Sequence, residues 1–476
     1  MMMKKHIIYF ISILISTISL SCEDWLDVSP KAEVEASELF ETEQGFEDAL
    51  NGIYIGLSDS RTYGQNLSWY LLEFWAHQYD VSGGTLEELQ NYDYQNSYSV
   101  SSISSIWLNQ YNTISEINLL LESMDKYGGV LDTAVYNATK GEALALRALC
   151  HFDLLRLFGH GNLENRPELW ERKTIPYVSS HSNEIAVQES YSKTFQLLEK
   201  DIEEALNYLN AEIIVQTHIC HRAVLALQAR VFLWQGKKAE ALEVVEKLLP
   251  VINGGWADDA AGALFTGEHL FHLNVTKLFD YMELSYESHI NGTVNYNQLV
   301  QTGDFVRDIY NMDEAGEGEG LSDRRYVKQH TFVTDEEWLT TKLQIDVDND
   351  SPSEYMIPML KIAEVYLIAI ECYVSNGETQ DLTKAIEYLN FLKEKRNIMP
   401  AYYISETGTQ EEVETAILNE YRKEFIQEGQ LFYFYKRKGL PYFPRQAGQP
   451  VYEMDDVKYV LPYPDIEFEF GRIQEI

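Results

Sequence analysis

The stretches MLKIAEVYLIAIECYVSNG (residues 359–377) and DLTKAIEYLNFLKEKRN (residues 381–397) are helical patterns joined by a turn at Asn376-Gly377-Glu378. Ala363, Ala369 and Ala385 sit where a small side chain lets one helix approach another closely. Helix, short turn, helix, with alanines at the contacts, is the sequence form of a tetratricopeptide-type unit. This pair decides the fold class: mainly α, a degenerate tetratricopeptide-like helical scaffold.

Working outward, the pattern returns. Trp107, Tyr111, Ile114, Asn118 and Leu121 recur at helical spacing, which predicts an amphipathic helix over 104–125. GEALALRALCHFDLLRLFG (141–159) predicts a second helix stopped by Gly159. YSKTFQLLEKDIEEALNYL (191–209), HICHRAVLALQARVFLWQG (218–236) and KKAEALEVVEKLL (237–249) predict three more. The scaffold is therefore placed mainly at 104–249 and 358–396. Thr42 opens an earlier helix carrying Phe46, Ala49, Leu50, Ile53 and Tyr54. Two aromatic regions lie off this pattern: 60–100, loop-like from Asp80 onward, and an insertion over 250–354. A hundred loop-rich residues inside a helical frame are expected to carry ligand contacts.

The N-terminus predicts export. Lys4 and Lys5 precede an uncharged apolar run from Ile7 to Leu20, then Ser21 and Cys22. That is the layout of a signal peptide over 1–21, too short for a confident membrane span. Cleavage before Cys22 leaves it as the first mature residue, ready for lipid, and durable anchoring needs more than one acyl chain. The mature chain, 22–476, is read as a single domain. Net charge is −38 for the full chain. A field of that sign excludes nucleic acid and disfavours lying on anionic lipid, so membrane attachment is expected through lipid only. Cys150, Cys220 and Cys372 lie in apolar helical patterns and are expected as buried free thiols.

Several motifs together resemble the SusD/RagB family of outer-membrane nutrient-binding lipoproteins. Cys22, Trp25-Leu26-Asp27 and Pro30 resemble its mature start, and Phe46, Ala49, Leu50, Gly52 and Tyr54 its first-helix signature. Gly141-Glu142-Ala143, Arg147-Ala148 and Leu157-Phe158-Gly159 match an internal motif, and Ala363-Glu364-Val365-Tyr366-Leu367 a later repeat region. Glu420, Arg422, Glu424, Glu428-Gly429 and Arg437 match a C-terminal signature assigned to 411–467. Departures fall at Leu431, Phe432 and Phe434. The resemblance implies a surface lipoprotein in the outer membrane, facing the cell exterior as a lid over a SusC-type TonB-dependent barrel. It implies an oligosaccharide or peptide cargo, no catalytic centre and no cofactor. The Glu23-Asp24 pair resembles the surface-export tag of Bacteroidetes lipoproteins. A helical adaptor that binds only proteins is the alternative.

A sugar ring has apolar C–H faces and a belt of hydroxyls, so its site needs exposed aromatic planes flanked by acids, amides or arginines. In the 60–100 region the candidates are Trp75, Tyr79, Asp80, Tyr92 and Tyr94. In the insertion they are Trp256, Tyr281, Tyr286, Asn291, Asn295, Tyr296, Asp304, Arg307 and Trp338. Glu142, Arg147, Glu420, Arg422 and Glu424 lie in dense helical patterns and are read as structural ion pairs. Asp346, Asp348 and Asp350 begin like a calcium loop, but Ser351 and Ile357 break the pattern, so calcium is weakly supported and no metal residue is assigned.

Overall fold

The computed structural model describes residues 37–81, 84–182, 184–257, 262–282, 299–334, 337–343, 355–445, 453–471 and 473. The signal segment, Cys22, Tyr286, Asn291, Asn295, Tyr296 and the acidic loop 346–350 lie outside the described residues.

Capping chemistry starts most of the helices. Thr42 accepts from the Gly45 N–H to open α1 (Glu43–Leu57). Two short helices follow, α2 (Leu71–Trp75) and α3 (Gly84–Gln90). Asn96 caps α4 (Ser97–Tyr127), and Asp132 caps α5 (Thr133–Phe158) through the N–H groups of Ala134 and Val135. The loop expected over 80–100 therefore holds α3 and the first turn of α4, because Asn96 starts a helix before the apolar periodicity begins. Gly159 does end α5, but in extended backbone at φ −99°. Glycine fits there because a Cβ would lie 2.7 Å from the Leu155 carbonyl oxygen. The hairpin of β1 (Lys173–Pro176) and β2 (Gln188–Ser190) leads to α6 (Tyr191–Tyr208), α7 (His221–Gln235) and α8 (Lys238–Ile252). Gly236, in the left-handed region at φ +79°, turns the chain between α7 and α8.

The described part of the insertion holds more regular structure than its composition suggests. It opens with β3 (His269–Asn274) and continues through β4 (Val300–Thr302), α9 (Gly303–Ile309) and α10 (Arg324–Gln329). It then passes through β5 (His330–Thr334) and β6 (Glu337–Thr340) and closes with β7 (Met356–Lys361). Antiparallel pairing of β3 with β7 brings its two ends together. A second sheet, in the order β4-β6-β5, lies between them. The chain then re-enters the scaffold as α11 (Ile362–Val374), α12 (Leu382–Lys395), α13 (Gln410–Glu424) and α14 (Gln430–Lys438). The helices pack in sequence: α1 on α4, α4 on α5, and so on to α7 on α8. Across the insertion α8 packs on α11, and α11 on α12 and α13. Ala363, Ala369 and Ala385 are fully buried, as the opening stretch requires, and the three cysteines are buried free thiols.

Buried charge fastens the insertion to this frame. Arg325, with no exposed surface, bonds Asp323, Glu420 at 2.7 Å and Glu424 at 2.8 Å. Arg396 joins Glu424 to Glu268. Lys423 and Lys393 both reach Glu319, and Lys423 also meets Glu420. Lys361 bridges Glu424 and Glu428, and Lys342 meets Glu428. All twelve groups are buried, and cations and carboxylates balance six to six, so the cluster carries no net formal charge. Burial pushes the Glu420 carboxyl up, but Arg325 and Lys423 outweigh it and hold it at about 2. Each charge gave up its hydration to enter, so the cluster is weak evidence of added stability, and removing one partner leaves the others buried and uncompensated.

Candidate functional site

The aromatic planes expected from residues 75–94 are not available to a ligand. Trp75 and Tyr79 are fully buried, and Tyr92 and Tyr94 nearly so. Each phenol is spent internally: Tyr79 donates to the Trp69 carbonyl, Tyr92 to that of Trp75 and Tyr94 to that of Lys458. Trp75 packs edge-on to Tyr94 and against Phe432 of α14. These rings join the first helices to the C-terminal segment, which corrects the expectation of stacking platforms there. Asp80 is different. It is half-buried, and its N–H donates to the Val300 carbonyl at 2.6 Å. Gln301 likewise donates to the Gln78 carbonyl at 3.0 Å. The 60–100 segment thus meets the insertion at β4.

On the sheet that β4 begins, an aromatic ridge reaches the surface. Phe332 of β5 is the cross-strand partner of Trp338 on β6, with ring centroids 5.8 Å apart. Phe332 is 54% exposed, and Trp338 is half-buried. Tyr326 of α10 extends the ridge, 5.5 Å from Trp338, and packs on buried Tyr310. Asp304 and Arg307, one turn apart on α9, form an ion pair beside it. Gly303 gives this corner room: a Cβ there would lie 3.2 Å from Arg307 Nη1 and 3.3 Å from Trp338 Nε1, and those side chains would have to shift by a few tenths of an ångström. Burial raises the Tyr326 phenol pKa, and the nearby Arg307 charge opposes the rise. The structure therefore brings Asp304, Arg307 and Trp338 to one surface. Tyr326 and Phe332 escaped sequence reasoning, although Phe332 and Trp338 flank the polar residues Thr334, Asp335, Glu336 and Glu337 in sequence, as hairpin partners would.

Two other candidates lie elsewhere. Trp256 is half-buried against Tyr366 and Phe391, with the Arg396 guanidinium over its ring. Tyr281 borders a separate cleft of about 410 Å³ with Asn51, Ile55, Asp59, His218 and Lys277. In that cleft His218 is held by Glu142, which raises its pKa, and Glu142 also accepts from Tyr54. Arg147 makes a buried bidentate pair with Asp201, and Arg422 reaches Asp308 on α9. The motif carboxylates and arginines thus pair mostly with partners outside their own motifs. Among the described residues no group of three or more His, Cys, Asp or Glu is placed to hold a metal ion.

A family profile described as "Starch-binding associating with outer membrane" matches residues 24–233, and one described as "SusD family" matches 285–459. The chain belongs to the SusD family, whose members are nutrient-binding proteins associated with the outer membrane. SusD-like protein P2 of Formosa agariphila is 24% identical over 98% of this chain and 97% of its own length. SusD-like protein P25 of the same organism is 26% identical over 35% of this chain, a match spanning 32% of P25. A SusD superfamily protein of Bacteroides thetaiotaomicron superposes with a TM-score of 0.71 at 24% identity, covering 90% of this chain and 98% of the other. A SusD-like carbohydrate binding protein of Bacteroides vulgatus does so at 0.68 and 19% identity, over 90% and 96%. At these identities the structural likeness speaks for the fold alone. No helix among the described residues is long and apolar enough to cross a membrane.

Proposed function

We propose that the protein captures an oligosaccharide at the outer face of the cell, without cutting it, and passes it to a SusC-type TonB-dependent barrel. The observation that carries this reading is the ridge of Tyr326, Trp338 and Phe332 beside the Asp304–Arg307 pair. The rings supply apolar faces for sugar C–H groups. The carboxylate accepts from hydroxyls, the guanidinium donates to ring or hydroxyl oxygens, and such placed polar groups set orientation. Ring faces beside one carboxylate and one guanidinium are the groups that hold and orient a hydroxyl-bearing ligand, which supports binding. Cys22 would carry the lipid that keeps the site at the membrane.

Calorimetry of the chain beginning after Cys22, against a panel of oligosaccharides and peptides, tests the reading. A saccharide should bind and be recovered intact. Retention of peptides alone moves the protein to the peptide-binding alternative, binding to the barrel alone makes it an adaptor, and turnover of the sugar makes it an enzyme. Mass spectrometry of membrane-extracted protein should find acylated Cys22 at the N-terminus.

A further inference from the structure

A cleft of about 830 Å³ lies on the helical scaffold, lined by Tyr366, Tyr388, Asn390, Phe391 and Tyr403 together with Glu394. It belongs to α11, α12 and the segment after α12, whereas the ridge belongs to the insertion. Tyr366 and Phe391 stack at 5.0 Å, and Tyr388 meets Tyr366 edge-on at 5.5 Å. Trp256, flagged by sequence but absent from the ridge, packs behind Tyr366 and Phe391. Tyr388, Phe391 and Tyr403 remain half-buried at the surface. Asn390 exchanges two hydrogen bonds with the Ile404 backbone, which pins the 400–408 segment as one wall. The other polar lining includes the exposed carboxylates Glu387, Glu394 and Glu406.

We propose that this cleft is a second saccharide site, for a neutral polymer chain. The proposal rests on the capture reading above and adds a separate foothold for the same polymer. Aromatic faces take the sugar rings. The carboxylates accept hydrogen bonds and give none, so the matching ligand is rich in hydroxyl donors and carries no sulfate or carboxylate of its own. Two footholds on one chain raise affinity for a polymer that reaches both, and leave affinity for an oligomer too short to span them unchanged.

The test uses the whole soluble chain beginning after Cys22, with affinity gels cast with soluble starch, neutral xylan, neutral mannan or a sulfated polysaccharide. Short oligomers of the retained neutral polymer are measured by calorimetry. Glu387→Lys with Glu394→Lys changes two exposed side chains and spares the core, and Tyr403→Ala is the second variant. Both should weaken retention by the neutral polymer at least about tenfold. Both should keep the parent's affinity for the short oligomer, which Trp338→Ala should lose. Parent-like retention of both cleft variants on a polymer that Trp338→Ala binds poorly overturns this inference and leaves the capture reading standing. Retention of none of the neutral polymers overturns this inference, while the oligosaccharide panel decides the capture reading by itself. Binding of polylysine or the sulfated polymer through these residues, in place of the neutral one, assigns the cleft to a charged partner and also overturns it.

Discussion

Residues 69–94 and residues 326–338 are both rich in Trp, Tyr and Phe, yet the first set builds core and the second builds surface. In the first, Trp69, Trp75 and Tyr79 are fully buried, and their region is held by phenol-to-carbonyl bonds. In the second, Trp338 and Phe332 stand as a cross-strand pair on a small sheet, and Phe332 keeps half its surface open. Residue type does not separate the two. What separates them is whether a neighbouring element covers the ring, and that is settled hundreds of residues away: Tyr94 bonds Lys458, and Trp75 meets Phe432.

The largest effects should come from breaking the clamp that holds the second region in place. Arg325→Met leaves Asp323, Glu420 and Glu424 buried without their shared cation, and should cost about 3–5 kcal/mol in denaturant unfolding. Trp75→Ala should cost a similar amount, about 3–5 kcal/mol, through the cavity it leaves. Ligand affinity of the folded Trp75→Ala protein should match the parent; a selective loss of affinity would return Trp75 to the ligand surface.

Glu73 sharpens the contrast by pH. It lies buried in α2, where its Oε1 accepts from the Gly429 N–H. Burial pushes its carboxyl up to about 8. The folded chain therefore keeps a proton there that the unfolded chain releases near pH 4.5, and stability falls as pH rises from that point through about 8. Glu73→Gln should remove this slope, a gain on the order of 4 kcal/mol at pH 8 that vanishes below pH 4. Thermal melts across that range decide it.

Trp338→Ala should show the reverse of Trp75→Ala. Affinity for the captured saccharide should fall by about 2 kcal/mol, more than tenfold. Its stability should change by under about 1 kcal/mol, since the ring is only half-buried. Equal affinity in parent and variant would remove the ridge from the binding surface.

Much of the scaffold was legible in sequence because a helix signals its buried face within a few residues. Ala363, Ala369 and Ala385, the periodicity around Trp107 and the motif at Gly141–Gly159 needed no distant partner to be read. The structural reading of Arg147, Glu420 and Glu424 also followed from their placement in dense helical patterns. Their actual partners did not: Asp201 lies 54 residues from Arg147, and Arg325 lies 95 from Glu420. The ordered sheets of the insertion were missed because their strands are short and pair across long separations, with β3 meeting β7 some 85 residues on.

By itself the sequence determined the helical class, the positions of most scaffold helices, the strongly negative net charge and a family resemblance that the comparisons uphold. Those features rest on local periodicity, net charge and short motifs, which no tertiary contact alters. Only the tertiary structure decided which aromatics face solvent. It sent Trp75, Tyr79, Tyr92 and Tyr94 inward, set Asp304, Arg307 and Trp338 on one surface and added Tyr326 and Phe332 to them. The physical reason is that burial is a property of what packs against a residue, and here the covering elements come from the far end of the chain.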